Sequence, residues 1–274
     1  MTRGPGGAPE ARVWSRRLGG LIRSDFHVHT TYSDCAAPAA APEAMVQAAQ
    51  EAGLEAIGIT DHIVSPTNFD RPWRVRQELP AEVGGLRVYV GCEAEMQGPD
   101  KPSISRELAA GLDFTVFAAS HLHNIGPEVL YGLKPPEMAA FMIELMEGAI
   151  ETGYADIIAH PFHAPLSPHP FAEVVGAVKR DALLRTAEAA ARSGVAIECN
   201  PRFLVEAPDA AEWLFSVLLE GGCKLAIGSD AHHPDDIGCR GPGYGTEEEL
   251  REIGISEECL WRIEERATNR PREG

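Results

Sequence analysis

The sequence predicts an α/β fold in which parallel β-strands alternate with helices and close into a TIM-like barrel. Three observations predict it: seven short apolar runs, amphipathic segments between these runs, and a length of 274 residues that is ordinary for one α/β barrel. A doubly wound open sheet is the alternative arrangement for the same alternation.

The seven apolar runs are the predicted strands. Each is short, apolar or β-branched, and bounded by turn residues, as strands buried on both faces of a parallel sheet are. They comprise residues 21–28, 55–60, 86–92, 114–119, 155–159, 195–199 and 224–228.

Helical patterns separate these runs. The segment "PEAMVQAAQEAG" places Pro42 near the start of a predicted helix and Gly53 after its end. Proline is common in the first turn of helices and glycine is common just after the last turn. Residues 135–153, 171–193 and 208–221 repeat this pattern, and "EEELREIG" and "SEECLWRIEERA" predict two further helices towards the end of the sequence.

Composition and charge limit the classes of function. We expect residues 1–23, rich in Gly, Pro and Arg, to form a flexible tail, and residues 24–274 to form a single domain. No apolar run reaches the length of a membrane span, and the net charge of −17 argues against binding long nucleic acid, although not against a small phosphorylated substrate. The six cysteines are dispersed, which predicts a reduced, cytoplasmic protein.

The chemistry of the sequence follows the predicted strands. Nine of the ten histidines lie at strand ends, the exception being His169. Because the carboxyl ends of all strands in a parallel barrel open onto one face, we expect these side chains to meet in one pocket. In chain order the candidates are His27, His29, Asp34, Asp61, His62, Glu93, Glu95, His121, His123, His160, His163, Glu198, Asn200, Arg202, Asp230, His232 and His233.

The spacing of these residues favours metal binding. His27 and His29 are two positions apart on a strand, as are Asp230 and His232, so each pair can face one ion. Histidine and carboxylate ligands suit Zn²⁺, Mn²⁺ or iron. Nine of the candidates are strong ligands, which is more than one ion needs, so the sequence predicts more than one bound ion.

For several candidates the sequence leaves alternatives open. Five of the candidates could support metal ligands through hydrogen bonds, contact the substrate, or lie on the surface. Metal binding through the thiolate of Cys35 or Cys92 is less favoured than binding through histidine and carboxylate. The five candidates are His123, His163, His233, Glu95 and Glu198.

Seven segments together resemble the ordered motifs of the PHP (polymerase and histidinol phosphatase) superfamily. They are "DFHVHTTYSD", "GITDH", "GCEAE", "ASHLH", "IIAHP", "ECNPR" and "GSDAH", spread over about residues 24–240. The resemblance implies a distorted (β/α)7 barrel, up to three divalent ions (Zn, Mn or Fe), and for many members hydrolysis of phosphate esters.

The resemblance also implies three ion sites, because competent ligands fill every matching position. The first site would use His27, His29, Glu93 and Asp230. Glu93 would bridge to a second ion held by His121 and His160, and the third site would use Asp34, His62 and His232. Some relatives carry His at the position of Asp34, where this sequence has a carboxylate.

These observations together predict a metal-dependent phosphoesterase acting on a small phosphomonoester. The predicted catalytic residues are Glu93, His29 and Asp230. The predicted substrate contacts are Arg202, His163 and His233, and the guanidinium of Arg202 is expected to bind the phosphate through two hydrogen bonds. Histidinol phosphate is the substrate that the resemblance suggests, with nucleotide phosphates as a rival. Hydrolysis of another ester or of an amide, and a non-catalytic metal-binding module, are the alternative functions. The sequence predicts no oligomeric state.

Overall fold

Residues 20–268 are described by a computed structural model of the protein, in which short, mostly parallel strands carry the site. The strands are β1 (Ser24–Val28), β2 (Ala56–Ile59), β3 (His62–Ile63), β4 (Glu82–Val83), β5 (Leu86–Val90), β6 (Glu93–Glu95), β7 (Val116–Ala118), β8 (Ile157–Ala159), β9 (Ala196–Cys199) and β10 (Leu225–Ile227). Each of the seven predicted runs contains one of them, so the strand prediction is confirmed.

The strands form two sheets that continue into one another. Their orders are β1-β2-β5-β4 and β10-β9-β8-β7-β6-β3, and the pairs among these strands are parallel except β4 with β5. The chain passes from β2 to β3 and from β5 to β6 within two or three residues. The outer strands β1 and β10 of the two sheets also meet. There a β-bridge joins Val28 to Ala231, whose carbonyl accepts a hydrogen bond from His29 N at 2.9 Å. The result is a distorted barrel without one continuous ladder.

Helices surround the strands, and the first helix has the proline at its start and the glycine after its end that the sequence predicts. They are α1 (Pro42–Ala52), α2 (Arg71–Glu78), α3 (Arg106–Ala110), α4 (Pro127–Leu130), α5 (Pro135–Glu151), α6 (Phe171–Gly176), α7 (Arg180–Ser193), α8 (Arg202–Glu206), α9 (Pro208–Glu220) and α10 (Glu247–Glu252). α1 ends at Gly53, whose φ of 74° is readily adopted only by glycine. Within residues 20–268 no helix has the length and apolar composition needed to cross a bilayer.

Two helix predictions differ from the structure. The single helix predicted over residues 171–193 is divided into α6 and α7. The helix predicted from "SEECLWRIEERA" is wrong, because this segment contains only the 3-10 turns Glu257–Cys259 and Ile263–Thr268. Trp261 N donates to the carbonyl of Leu225 at 2.8 Å, so tertiary pairing with β10 overrides the helical pattern.

The predicted tail is only partly covered by the structure. Residues 1–19 lie outside the described residues. At the other end of the predicted tail, Leu21 is buried and Ile22 N donates to the Glu247 carboxylate at 3.1 Å. The packed part of the chain therefore begins earlier than residue 24.

An apolar cluster with members on six of the strands and on neighbouring segments fills the interior of the barrel. It contains Phe26, Ala56, Phe114, Val116, Ile157, Ala159, Ala196, Ala226, Trp261 and Ile263. Phe26 meets the rings of Phe114 and Trp261 edge to face, at centroid distances of 5.6 and 5.1 Å. A Cβ atom on Gly58 would lie 2.5 Å from Phe114, so this close packing requires glycine. Phe26 directly precedes His27, and the cluster therefore supports the base of the site.

Candidate metal centre

The carboxyl ends of the strands bring eight of the nine predicted metal ligands into one cluster. These eight side chains, all of which fall into overlapping groups of closely spaced donor atoms, are His27, His29, His62, Glu93, His121, His160, Asp230 and His232. The convergence follows from the parallel topology, because every contributing strand ends on the same face of the barrel.

Glu93 lies at the centre of the cluster and is completely buried. Its Oε2 atom is 3.3 Å from His27 Nε2 and 3.4 Å from His29 Nε2. Its Oε1 atom is 2.9 Å from His160 Nε2 and 3.4 Å from His121 Nε2. The two carboxylate oxygens therefore face two separate pairs of histidines, which is the geometry of a bridging ligand.

The group formed by His27, His29 and Asp230 already has the spacing of a metal site. The two Nε2 atoms are 3.1 Å apart, and Asp230 Oδ1 is 3.2 Å from His29 Nε2 and 3.6 Å from His27 Nε2. Ligands about 2.0–2.1 Å from a tetrahedral zinc ion stand about 3.3 Å from one another. These three side chains could hold a divalent ion with little movement.

Two buried polar atoms in the cluster lack a hydrogen-bond partner among the described residues. They are Glu93 Oε2 and His62 Nδ1, which lie 2.9 Å apart but do not have the geometry of a hydrogen bond. Unsatisfied buried polar atoms are costly and rare in folded proteins. A cation bound by both atoms would satisfy them, so the residues present fit a bound divalent ion.

The charges of the cluster compensate one another. Burial lowers the pKa of His27, but the carboxylates of Glu198 and then Glu93 outweigh this effect and raise the pKa well above its usual value. Burial alone would raise the pKa of Glu93, yet His121 and then His27 hold it well below the usual range. Glu93 is thus an anion surrounded by imidazoles, and bound cations would compensate its charge.

Further polar side chains fix the orientation of the histidines. Glu198 Oε2 is 2.5 Å from Nδ1 of His27, and Ser120 Oγ is 2.8 Å from Nδ1 of His160. Because Nδ1 is occupied in each ring, Nε2 is the atom directed at the cluster. Among the open alternatives for Glu198, the structure therefore favours the orienting role.

Glu95 supports two histidines at the edge of the cluster. Its Oε1 atom lies 3.1 Å from His121 Nδ1 and also contacts His123 Nδ1. Burial raises the pKa of Glu95, but hydrogen bonds from these two rings lower it more, to about 2. Glu95 is therefore ionised at neutral pH and holds His121 in place.

We expect Glu198→Gln to weaken zinc binding about 10- to 100-fold, because the substitution removes the charge that orients His27 and makes it a stronger ligand. Competition with a chromophoric chelator measures the affinity. Glu220→Gln, at an exposed ion pair with Arg180, is the matched control and should bind like the unmodified protein. Unchanged affinity in Glu198→Gln would show that His27 needs no such support.

The ninth predicted ligand, Asp34, lies outside the cluster. Its side chain is fully exposed and lies 3.4 Å from Arg71. The preceding residue, Ser33, turns inwards, and its hydroxyl donates to Asp61 at 2.7 Å, so Asp34 points outwards. The next residue, Cys35, places its Sγ atom 3.1 Å from His232 Nε2.

Asp61 braces this loop. Its carboxylate accepts hydrogen bonds from the backbone and the hydroxyl of Thr30 at 2.8 and 2.6 Å. The carboxylate is thereby occupied, and Asp61 belongs to none of the groups of donor atoms described above.

The three predicted substrate contacts differ in position. Arg202 is partly buried and donates from Nη2 to the hydroxyl of Tyr244 at 2.8 Å, and that hydroxyl donates to the carbonyl of Ser229, next to Asp230. The His163 ring lies 6.4 Å from that of His160. His233 instead accepts a hydrogen bond from Asp235 N and caps a 3-10 turn. Arg202 and His163 thus adjoin the cluster.

Two supporting residues carry no clear signal in the sequence. Tyr244 is 14 positions from Asp230 and belongs to no strand end, yet its hydroxyl joins Arg202 to the carbonyl of Ser229. Ser120 could have been noticed only because it directly precedes His121.

Two cluster residues have backbone conformations that are unusual for residues other than glycine. His160 has φ 22° and Asp230 has φ 54°. The turn at Asp230 is anchored by the buried Asp25, which accepts from Ser229 N at 3.0 Å and Gly238 N at 2.9 Å. Such conformations persist where the surrounding structure enforces them, and they concentrate at functional sites.

Comparison with known proteins agrees with this architecture. The chain is 28% identical over 258 residues to a protein of Deinococcus radiodurans named "Probable histidinol-phosphatase", covering 84% of this chain and 93% of that protein. It is 27% identical over 222 residues to a "Probable phosphatase" of Shewanella piezotolerans, covering 78% of this chain and 79% of the relative.

A solved structure has the same fold. The histidinol phosphate phosphatase of Lactococcus lactis, crystallised with zinc, L-histidinol and phosphate, superposes with a TM-score of 0.58 at 18% identity, covering 86% of this chain and 95% of the other. The sequence profile of the PHP domain matches residues 25–202, which is more than half of the chain. The chain belongs to the PHP domain family.

Proposed function

We propose that this protein is a metal-dependent phosphatase that hydrolyses a small phosphomonoester at a site holding two to three divalent ions. The single observation that carries the proposal is the central position of Glu93, with one carboxylate oxygen facing His27 and His29 and the other facing His121 and His160. The names of the two curated relatives support phosphate esters as the substrate class.

The eight clustered side chains have distinct tasks in this proposal. His27, His29 and Asp230 would hold one ion, Glu93 would bridge to a second ion at His121 and His160, and His62 and His232 would contribute to a third. Bound divalent ions supply a hydroxide nucleophile at neutral pH and offset charge on the phosphoryl oxygens. Zinc, manganese and iron all suit such ligands.

Arg202 and His163 would position the phosphate beside this cluster. A guanidinium can bind a phosphate through two parallel hydrogen bonds, and Arg202 uses Nη2 for Tyr244, which keeps its other N–H groups available. Burial, and then the neighbouring His160, lowers the pKa of His163. His163 is therefore neutral at pH 7 and would donate one N–H to an oxygen without adding charge.

Histidinol phosphate is the proposed substrate, since relatives of this chain include proteins named for its hydrolysis. The net charge of −17 disfavours long nucleic acid. The six cysteines are free in the part of the chain that the structure describes, which supports a reducing, cytoplasmic location.

The test is a phosphatase assay on protein first stripped with EDTA and then supplied with Zn²⁺ or Mn²⁺. Histidinol phosphate, nucleoside monophosphates, nucleoside bisphosphates and short oligonucleotides form the substrate panel. We expect the stripped protein to be inactive, the reloaded protein to turn over, and histidinol phosphate to have the highest kcat/KM. Preference for a nucleotide would overturn the proposed substrate, and bound metal without turnover of any ester would overturn the proposed activity.

A further inference from the structure

The group at His62 and His232 lacks a carboxylate of its own. His29, whose ring lies 4.4 Å from each of these two rings, completes the group of three histidines but also faces Glu93 and Asp230. Since Asp34 points to solvent, it does not supply a carboxylate to this group.

The thiol of Cys35 lies where that ligand is needed. Its Sγ atom is 3.1 Å from His232 Nε2, and His232 itself belongs with His29 and His62 to one group of closely spaced donor atoms. A sulfur ligand about 2.3 Å from zinc and a nitrogen ligand about 2.0–2.1 Å away stand about 3.5 Å from each other at a tetrahedral angle. The separation of Sγ and Nε2 is close to this value.

The fold holds Cys35 in this position through its neighbours on both sides. Ala36 N donates to the carbonyl of Ser33 at 3.0 Å, and Ala37 N donates to the carbonyl of His232 at 2.9 Å. The loop is thus tied at one end to the turn braced by Asp61 and at the other to the backbone of His232 itself. Backbone hydrogen bonds of the two residues after Cys35 therefore hold its thiol beside His232.

We propose that Cys35, and not Asp34, completes the third metal site, where its thiolate joins His62 and His232. The inference rests on the proposed metal centre and specifies its chemistry. A soft thiolate favours Zn²⁺ or Fe²⁺ over Mn²⁺, whereas the ligands around Glu93, nitrogen and carboxylate oxygen, accept all three. The third site is therefore the selective one.

Cobalt substitution tests this assignment without relying on activity. A cysteine thiolate bound to Co²⁺ gives an intense charge-transfer band in the near ultraviolet, which histidine and carboxylate ligands do not give. We expect the band in the cobalt-loaded protein and in Asp34→Asn and Cys259→Ser, the two matched controls. Cys35→Ser should lose the band while keeping the weaker visible bands of cobalt at the Glu93 sites.

Metal content and thiol reactivity supply a second measurement on the same proteins. Cys35→Ser should retain about one zinc ion fewer per chain than Cys259→Ser. Zinc should slow alkylation of Cys35 by iodoacetamide about tenfold or more, followed by mass spectrometry of its peptide.

The outcomes separate this inference from the proposed function. Bound cobalt without a charge-transfer band, a band that persists in Cys35→Ser, or Cys35 that is alkylated equally fast with zinc present would overturn the thiolate ligand and leave the phosphatase proposal intact. A protein that binds no cobalt at all would overturn both.

Discussion

Glu93→Gln should reduce kcat/KM by about 1,000-fold or more, which is the largest effect on activity that we expect from a single substitution. A neutral amide cannot bridge two cations through two anionic oxygens, and it leaves the charge of His27 uncompensated in a buried site. Activity is measured on the best substrate of the panel, and bound metal is measured by mass spectrometry on the same samples.

A substitution at an exposed carboxylate is the control for Glu93→Gln. Glu173→Gln alters an exposed side chain at an ion pair with His169 and should leave both activity and metal content unchanged. Far-ultraviolet circular dichroism of Glu93→Gln should match that of the unmodified protein. If Glu93→Gln kept its metal and lost less than about tenfold in kcat/KM, Glu93 could not be the bridging ligand.

Phe114→Ala should lower the free energy of unfolding by about 3–5 kcal/mol, the largest effect on stability that we expect. Phe114 is completely buried, meets Phe26 edge to face, and lies against Gly58 and Gly91. Removing its ring would leave a cavity in the middle of the barrel that the rigid strands cannot fill. Denaturant unfolding of EDTA-treated protein measures the change without the contribution of bound metal.

An exposed aromatic residue provides the control for Phe114. Tyr131 is 68% exposed, and Tyr131→Ala should change the free energy of unfolding by less than about 0.5 kcal/mol. A loss below about 1 kcal/mol in Phe114→Ala would mean that the barrel interior repacks, contrary to the close contacts around this ring.

The sequence allowed the strands and most of the site to be predicted because both follow from one pattern. Buried parallel strands are short apolar runs, and the polar residues after them must lie on a common face. The central place of Glu93 agrees with the bridging role that the resemblance implied for it. The breaks that separate β2 from β3 and β5 from β6 left no signal, because they depend on pairing with neighbouring strands rather than on local composition.

The choice between Asp34 and Cys35 shows where sequence reasoning fails. The two residues are adjacent, and both side chains are competent ligands. Which one faces His232 is decided by the inward turn of Ser33 towards Asp61 and by the hydrogen bond from Ala37 to His232. These contacts join residues far apart in the chain, so neither periodicity nor spacing reports them.

The left-handed backbone at Asp230 has a consequence for how such a protein can be altered. A glycine there would adopt the same conformation at no steric penalty, but it would remove the carboxylate that contacts His27 and His29. Retaining aspartate means tolerating local strain, which the anchoring contacts of Asp25 keep in place. Backbone conformation alone would therefore favour glycine at this position, whereas the contacts with His27 and His29 require the carboxylate of aspartate.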